Sequence, residues 1–302
     1  MALSAKHAWR RVDVMVAGYG LFVASLGLTR IGQRGVPWIV AAHLALPLLT
    51  WLVTRASDGA IGRALRASYP VLLLAGLYSA IDIMNGFGAA ATWDAPLQAA
   101  EAWIFHGQPS RDWWRAAPNA FWSTLLHGVY FSYYILVPLP VLVFLAQRRP
   151  AALERYLDGL IATFLLCYVA YLLLPVAGPY YQFTRPTGAF VANGAAQLVY
   201  ATLARGSAFG AAFPSSHVAA TVAATVGAWL GSKRLGMAMA IPTVLLAVGV
   251  VYCQMHYVVD SAAGVLLGVS VPLLMARGER NAGASDGRPR ADGATAVRLT
   301  GR

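Results

Sequence analysis

The chain has 302 residues, of which 58% are hydrophobic and only 12% are charged, and its mean hydropathy is +0.58. Soluble globular domains carry about 25% charged residues. The composition therefore excludes an ordinary soluble domain and indicates an integral membrane protein.

Apolar runs of the length that crosses a bilayer, about 20 residues, recur along the sequence. Eight spans can be drawn, at residues 14–28, 36–54, 67–84, 121–146, 159–176, 214–231, 235–251 and 257–276. The first run ends at Thr29-Arg30 and another span follows at once, so we interpret it as a retained helix and not as a cleaved signal. We predict an all-α, polytopic transmembrane helix bundle of about six to eight spans.

The net charge of +11 is distributed unevenly. With the N-terminus inside, the eight-span arrangement puts 17 of the 23 Lys and Arg residues in inside segments and 6 in outside segments. This bias follows the positive-inside rule. The basic excess therefore indicates topology and not a nucleic-acid partner, with attraction to anionic lipid as a secondary effect. We predict a multi-pass protein of the inner (plasma) membrane with both termini in the cytoplasm.

Polar residues in the span 121–146 and in the outside loop 177–186 are candidates for substrate contact. His127 and Tyr130 share one helix face, and such a polar stripe faces protein or a cavity and not lipid. A substrate contact and a satisfied helix–helix contact both remain open for this stripe. Tyr180 and Arg185 lie in the loop, which we expect to cover a site from the outside because long loops in compact proteins are usually functional.

The segment Pro214-Ser215-Ser216-His217 opens an apolar span. Proline suits the first turn of a helix, and a helix N-terminus with free N–H groups is a ready anion site. Ser215 and Ser216 add hydroxyl groups beside it. The segment therefore predicts a phosphate-binding helix start with His217 next to the bound phosphate.

The second motif is His256-Tyr257-Val258-Val259-Asp260. A separation of four residues places His256 and Asp260 on one helix face. The carboxylate can then fix the imidazole tautomer and leave the other ring nitrogen free to attack. His217 can protonate the leaving oxygen. The predicted topology puts both motifs on the outer face of the membrane.

Two other interpretations compete with this one. Two histidines and a carboxylate can bind zinc or iron, so a metal site made of His217, His256 and Asp260 is the rival chemistry. A transporter that uses these groups as a proton relay is the rival class. The long uncharged spans, in which Asp82 and Asp260 are the only acids well inside the span, argue against a polar conduit. We expect no metal and no cofactor.

Residues 209–217 (Phe-Gly-Ala-Ala-Phe-Pro-Ser-Ser-His) and 252–260 (Tyr-Cys-Gln-Met-His-Tyr-Val-Val-Asp) resemble the last two signature motifs of the type 2 phosphatidic acid phosphatase superfamily. The closer resemblance is to the branch that contains inositol phosphorylceramide synthases. Asp94, Leu97 and Glu101, and the segment 130–134, are also similar to that branch, so the resemblance covers roughly residues 93–274.

The resemblance implies a six-helix catalytic core, with His217 as general acid and His256 as the nucleophile that forms a phosphohistidine, oriented by Asp260. It divides the chain into N-terminal transmembrane helices (1–66), a catalytic domain (67–276) and a tail (277–302). The tail is rich in Gly, Ala, Arg and Asp and predicts a disordered cytoplasmic segment.

The sequence departs from the common lipid phosphatase motifs at three positions. Arg185-Pro186 is present, but Gly178 occupies the lysine position of the first motif. Val250 and Gln254 stand where the last motif often has arginine. The expected phosphate contacts are therefore Arg185, Ser215, Ser216, backbone N–H groups or Gln254.

The synthase branch similarly lacks the last of these arginines, which favours phosphotransfer from a lipid phosphate ester to a lipid alcohol. A plain hydrolase acting on phosphatidic acid or a polyprenyl diphosphate is the alternative. The head group, the acceptor and the oligomeric state stay open.

Overall fold

A computed structural model describes residues 9–56, 59–88 and 90–285. In this part of the chain the regular structure is helical, without strands, and a single isolated bridge pairs Val176 with Ala211. The α-helices are α1 (Arg11–Leu28), α2 (Val36–Leu44), α3 (Leu46–Thr54), α4 (Ala60–Met84), α5 (Asp94–Phe105), α6 (Pro109–Ala116), α7 (Ala120–Phe131), α8 (Tyr133–Leu136), α9 (Leu139–Ala146), α10 (Pro150–Leu173), α11 (Pro179–Gln182), α12 (Gly194–Gly206), α13 (Ser216–Gly231), α14 (Lys233–Tyr252) and α15 (Val258–Ser285).

Seven helical segments in the described part of the chain are long and apolar enough to cross a membrane. They are Arg11–Leu28, Val36–Thr54, Leu65–Met84, Ala120–Ala146, Pro150–Leu173, Lys233–Tyr252 and Val258–Gly278. The predicted all-α polytopic bundle is confirmed. The remaining predicted span corresponds to α13, which has 16 residues.

Helix α13 is the centre of the bundle and packs against α10, α14 and α15. Small residues allow this close packing: a β-carbon at Gly264 of α15 would lie 2.8 Å from the Ser215 carbonyl oxygen, and one at Gly268 would lie 2.5 Å from the Ala219 carbonyl oxygen. Small residues at helix interfaces in membranes let backbones approach closely. The segments that carry the two histidine motifs are therefore adjacent.

Two of the spans are interrupted. The span 121–146 is divided into α7, α8 and α9 at Ser132 and near Pro138 and Pro140, and the span 36–54 is divided at Ala45, ahead of Pro47. Proline removes a backbone donor and crowds the preceding turn, which breaks helices.

The predicted segment boundaries differ from the helices. Helix α4 runs continuously across the boundary expected between residues 66 and 67. Helix α15 continues to Ser285, so the prediction that disorder begins at residue 277 is wrong for residues 277–285. Alanine, arginine and glutamate in this stretch favour helix. Residues 286–302 of the predicted tail lie outside the described residues.

Candidate active site

His217 lies in the first turn of α13. The Ser215 side chain caps the helix by accepting the Val218 N–H at 3.4 Å. The Ser215 N–H donates to the Asp260 carbonyl oxygen (3.0 Å), and the Ser216 N–H donates to the Tyr171 hydroxyl (3.0 Å). Among the first N–H groups of this helix, that of His217 has no hydrogen-bond partner in the described chain. The anion site expected at this helix start is therefore largely occupied by the protein itself.

Tyr171 of α10 fixes the loop before α13. Its hydroxyl donates to the Pro214 carbonyl oxygen at 2.8 Å while it accepts the Ser216 N–H. The side chain is fully buried. A tyrosine in an apolar span carries no local sign of such a role, so its contribution was not predictable from the sequence.

His256 is positioned by the tight turn between α14 and α15. The N–H groups of Met255 and His256 both donate to the Val250 carbonyl oxygen, at 2.8 and 3.0 Å, and Gln254 adopts the left-handed conformation (φ 58°). Asp260 is fully buried, and its Oδ2 lies 3.4 Å from His256 Nδ1. The same oxygen accepts the Tyr257 N–H at 2.9 Å. The i, i+4 spacing thus brings the two groups close together, but His256 Nδ1 forms no hydrogen bond with any described residue.

Burial also sets the charge of His256, which lies between two spans. Desolvation lowers the pKa of His256 to about 4, and a hydrogen bond to the Ala212 backbone acts in the opposite direction. Desolvation disfavours the charged imidazolium because a low-dielectric environment solvates ions poorly. His256 is therefore neutral near pH 7, with a lone pair on one ring nitrogen.

The two histidines face one another across a small cavity. Their ring centroids are 6.4 Å apart, and His217 lies against Tyr130 and Tyr133 at centroid distances of 4.7 and 4.6 Å. The Tyr130 hydroxyl is 3.2 Å from His217 Nε2. The cavity has a volume of about 40 Å³ and is lined by both histidines, Ser216, Tyr130 and Tyr180, among others. One water needs about 10–15 Å³ of such space, so the cavity holds only a few waters and a lipid phosphate enters when the surrounding side chains move.

Helix α5 holds the loop that covers the cavity. Asp94 accepts the N–H groups of Ala177 and Gly178 at 2.8 Å each, and its Oδ1 also accepts the Tyr257 hydroxyl at 3.0 Å. Gln98 donates to the Tyr257 hydroxyl at 2.8 Å. The polar face of α5 is thus turned toward the site, and its apolar side chains, such as Trp103 (81% exposed), lie outside.

Glu101 of α5 caps the helix that carries Asp260. Its Oε1 accepts the N–H groups of Val258 and Val259, and its Oε2 is buried without a hydrogen-bond partner among the described residues. Burial raises the pKa of Glu101 to about 7, opposed by these backbone bonds and reinforced by the negative charge of Asp260. The sequence pointed to Asp94 and Glu101 by resemblance alone, and their contacts show that they fix the geometry of α15.

Four residues expected to contact substrate do not line the cavity. The Gln254 amide has protein partners: its Oε1 accepts from Trp114 and Arg115, and its Nε2 donates to the Thr184 carbonyl oxygen, so its contact with phosphate stays a prediction. His127 is enclosed, with Nδ1 2.8 Å from the Ser123 carbonyl oxygen. The buried Ser215 hydroxyl is used as the helix cap.

Arg185 is the fourth of these residues. It is exposed and lies over the ring of Tyr180, 4.2 Å from its centroid. Because Tyr180 lines the cavity, Arg185 is one side chain away from it.

Among the residues that the structure describes, no group of three His, Cys, Asp or Glu side chains is arranged to hold a metal ion.

These features define a multi-pass helical membrane protein in which two histidines line one small cavity and a buried carboxylate lies beside one of them. The chain belongs to the PAP2 superfamily, whose family model matches residues 97–273. The matched segment begins in α5 and ends in α15, and it includes both histidine motifs. No curated protein and no solved structure matches the chain significantly.

Proposed function

We propose that this protein is a lipid phosphotransferase that works through a phosphohistidine on His256, in the manner of inositol phosphorylceramide synthases. Membership of the PAP2 superfamily supports a phosphatase-type enzyme. The observation that carries the proposal is a neutral His256 that faces His217 across one cavity and has Asp260 Oδ2 3.4 Å from its Nδ1.

In the first step, Nε2 of His256 attacks the phosphorus of a lipid phosphate ester. An N–P bond forms while the P–O bond to the leaving alcohol breaks, and His217 gives its proton to the leaving oxygen. Asp260 accepts the Nδ1–H of His256 and stabilises the positive charge that develops on the ring. In the second step, an acceptor hydroxyl gives its proton to His217 and attacks the phosphorus, and the N–P bond breaks.

The charge around the cavity favours a phosphodiester donor. Among the residues that the structure describes, no lysine or arginine lines the cavity, and Arg185 lies beyond Tyr180. Burying a doubly charged phosphate monoester without a cation costs far more than burying a singly charged diester. A phosphodiester lipid with a polar headgroup, passed to a ceramide-like alcohol, fits this environment.

Hydrolysis is the second candidate, with phosphatidic acid or a polyprenyl diphosphate as substrate. The small cavity favours it, because about 40 Å³ accommodates water beside the histidines without any movement of the protein. We place the reaction on the outer face of the inner (plasma) membrane with both termini in the cytoplasm, on the strength of the Lys and Arg distribution.

The test is an acceptor assay with the full chain purified in neutral detergent. Phosphatidylinositol labelled with ³²P in its phosphate is supplied with ceramide or with water alone, and the products are separated. We expect labelled product only with ceramide, and acid-labile, alkali-stable label on the protein. Phosphatidic acid and a polyprenyl diphosphate are assayed in parallel.

The variants are His256→Asn, His217→Asn and, as a matched control, His106→Asn. His106 is exposed and has a left-handed backbone conformation (φ 55°), which asparagine tolerates. We expect the first two to lose activity and the control to keep it. Equal labelling of wild type and His256→Asn would rule out the proposed nucleophile, and turnover of phosphatidic acid with water alone would establish the hydrolase.

A further inference from the structure

A second and larger cavity lies at the same end of the bundle, outside the proposed catalytic cavity. Its volume is about 510 Å³, and it is lined by Arg30, Gln33 and Arg34 from the α1–α2 connection and by Met84, Asn85 and Phe87 after α4. Neither histidine motif reaches it. A ligand bound in this cavity is therefore independent of the proposed function.

The cavity has positive charge without a counter-charge. Arg30 donates to the carbonyl oxygens of Met84 (2.8 Å) and Leu172 (3.4 Å), which satisfies hydrogen bonds but leaves its charge unpaired. The Arg34 guanidinium and the Gln33 amide have no side-chain partner in the described part of the chain, and no lining residue described there is acidic. Two guanidinium groups in this setting attract an anion, and arginine favours phosphate.

Asn85 supplies a second, independent observation. It is 1% exposed, and its Nδ2 donates to the carbonyl oxygens of Tyr171 (3.3 Å) and Phe209 (3.1 Å). Because both neighbours are acceptors, the orientation of the amide is fixed. Its Oδ1 is buried and has no donor among the described residues. A buried acceptor without a partner is costly, so this atom calls for a ligand that donates a hydrogen bond, such as a hydroxyl.

The position of the cavity indicates the source of the ligand. Residues 30–34 connect the candidate spans Arg11–Leu28 and Val36–Thr54, so they lie at the level of the lipid headgroups. Phe87 is 59% exposed and adjoins Met84 at the cavity, which provides an apolar surface beside the two arginines. A ligand with a phosphate, a hydroxyl and an acyl chain matches the two arginines, the Asn85 oxygen and the apolar surface at Phe87, respectively.

We propose that this cavity binds the headgroup of an anionic phospholipid that carries hydroxyl groups, with the phosphate at Arg30 and Arg34 and a hydroxyl at Asn85. A soluble phosphate ester shares this chemistry. The lipid is favoured because Arg30 and Arg34 lie in the connection between two candidate spans, at the level of the headgroups.

Native mass spectrometry of the full chain in neutral detergent tests the proposal. The probes are phosphatidylglycerol, phosphatidylcholine with the same chains, and phosphatidylpropanol, which keeps the negative charge but lacks free hydroxyls. We expect saturable binding whose affinity is highest for phosphatidylglycerol, lower for phosphatidylpropanol and lowest for phosphatidylcholine. Glycerol 1-phosphate is added as a competitor. If glycerol 1-phosphate displaces phosphatidylglycerol at a concentration equal to that of the lipid, the anion site is supported and its ligand is a soluble ester.

Arg34→Gln is the principal variant. Its matched control is Arg205→Gln, at an exposed arginine near the end of α12 that lines neither cavity. We expect Arg34→Gln to weaken phosphatidylglycerol binding about tenfold, as the loss of one charge-assisted bond predicts, and Arg205→Gln to leave it unchanged. Gln33→Glu, which adds a negative charge at an exposed position, should weaken it at least as much. Equal binding by wild type, Arg34→Gln and Gln33→Glu, or no preference for the anionic lipids, would overturn the proposal.

Discussion

The Tyr130 hydroxyl lies 3.2 Å from Nε2 of His217, and the two rings are stacked with their centroids 4.7 Å apart. One tyrosine therefore sets both the tilt of the imidazole and the environment of the nitrogen that faces it. In the proposed mechanism this contact orients the general acid before substrate enters.

Removal of this hydroxyl should reduce catalysis and preserve the fold. Tyr130→Phe keeps the stacked ring but removes one hydrogen bond, whose contribution of about 0.5–1.5 kcal/mol corresponds to a decrease of up to about tenfold in kcat. Tyr134→Phe is the control, because Tyr134 is 48% exposed and its ring packs against Phe131 and Tyr133. Steady-state kinetics with separate kcat and KM are the measurement. Equal kcat for both variants would contradict an orienting role.

Asp260→Asn tests the pairing with His256. Asparagine can still accept the Tyr257 N–H, so α15 should start normally, but a neutral amide cannot stabilise the imidazolium. We expect activity to fall by about 10²- to 10⁴-fold, the range typical of acid–base groups, with less labelled phosphohistidine after a short exposure to substrate. Normal labelling followed by slow release would place the defect in the second step instead.

Glu101 should make stability depend on pH. Its pKa is raised from 4.5 to about 7 in the folded protein, so the folded state binds more protons than the unfolded state between these values. Stability from this residue is therefore complete below about pH 4.5 and is lost as pH rises through 7. We expect the Tm of wild type to fall over this window relative to Glu101→Gln, which keeps an oxygen for Val258 and Val259.

The matched control for Glu101 is Asp112→Asn. Asp112 has a pKa lowered chiefly by its hydrogen bonds from Arg111, so it titrates below this pH window. Its replacement should leave the slope of Tm against pH unchanged. Parallel slopes for wild type and Glu101→Gln would show that Glu101 does not titrate between pH 4.5 and 7.

Tyr171→Phe should destabilise the loop before α13. The change leaves the Pro214 carbonyl oxygen and the Ser216 N–H without their shared partner, at a cost of about 1–3 kcal/mol. Tyr19→Phe is a suitable control, since Tyr19 is 5% exposed and its hydroxyl has no hydrogen-bond partner in the described chain. Unfolding followed by intrinsic fluorescence compares the two, and an equal loss of stability would show that burial alone matters.

The sequence predicted the features that depend on local spacing. Apolar runs located the helices, and the spacing of four residues placed Asp260 beside His256. It did not predict the contacts of Gln254, because proximity in sequence to a histidine does not determine which way a turn residue points. A left-handed turn directs the Gln254 amide toward Trp114 and Thr184, which are 140 and 70 residues away in the chain.

The residues that fix the site from a distance were not predictable in the same way. Tyr171 looks like any aromatic residue in an apolar span, and its two bonds exist only after α10 packs against α13. Asp94 and Glu101 lie on the polar side of α5 and are buried against the site. Periodicity shows that a helix has a polar side but not what that side contacts.

Gly264 illustrates how far the chemistry depends on residues that take no part in it. Its missing side chain determines how closely α15 can approach the start of α13, and a methyl group there would meet the Ser215 carbonyl oxygen at 2.8 Å. The distance between the two histidines thus depends on the lack of a β-carbon at Gly264. Bulkier residues at position 264 would move apart the acid and the nucleophile of the proposed reaction without touching either.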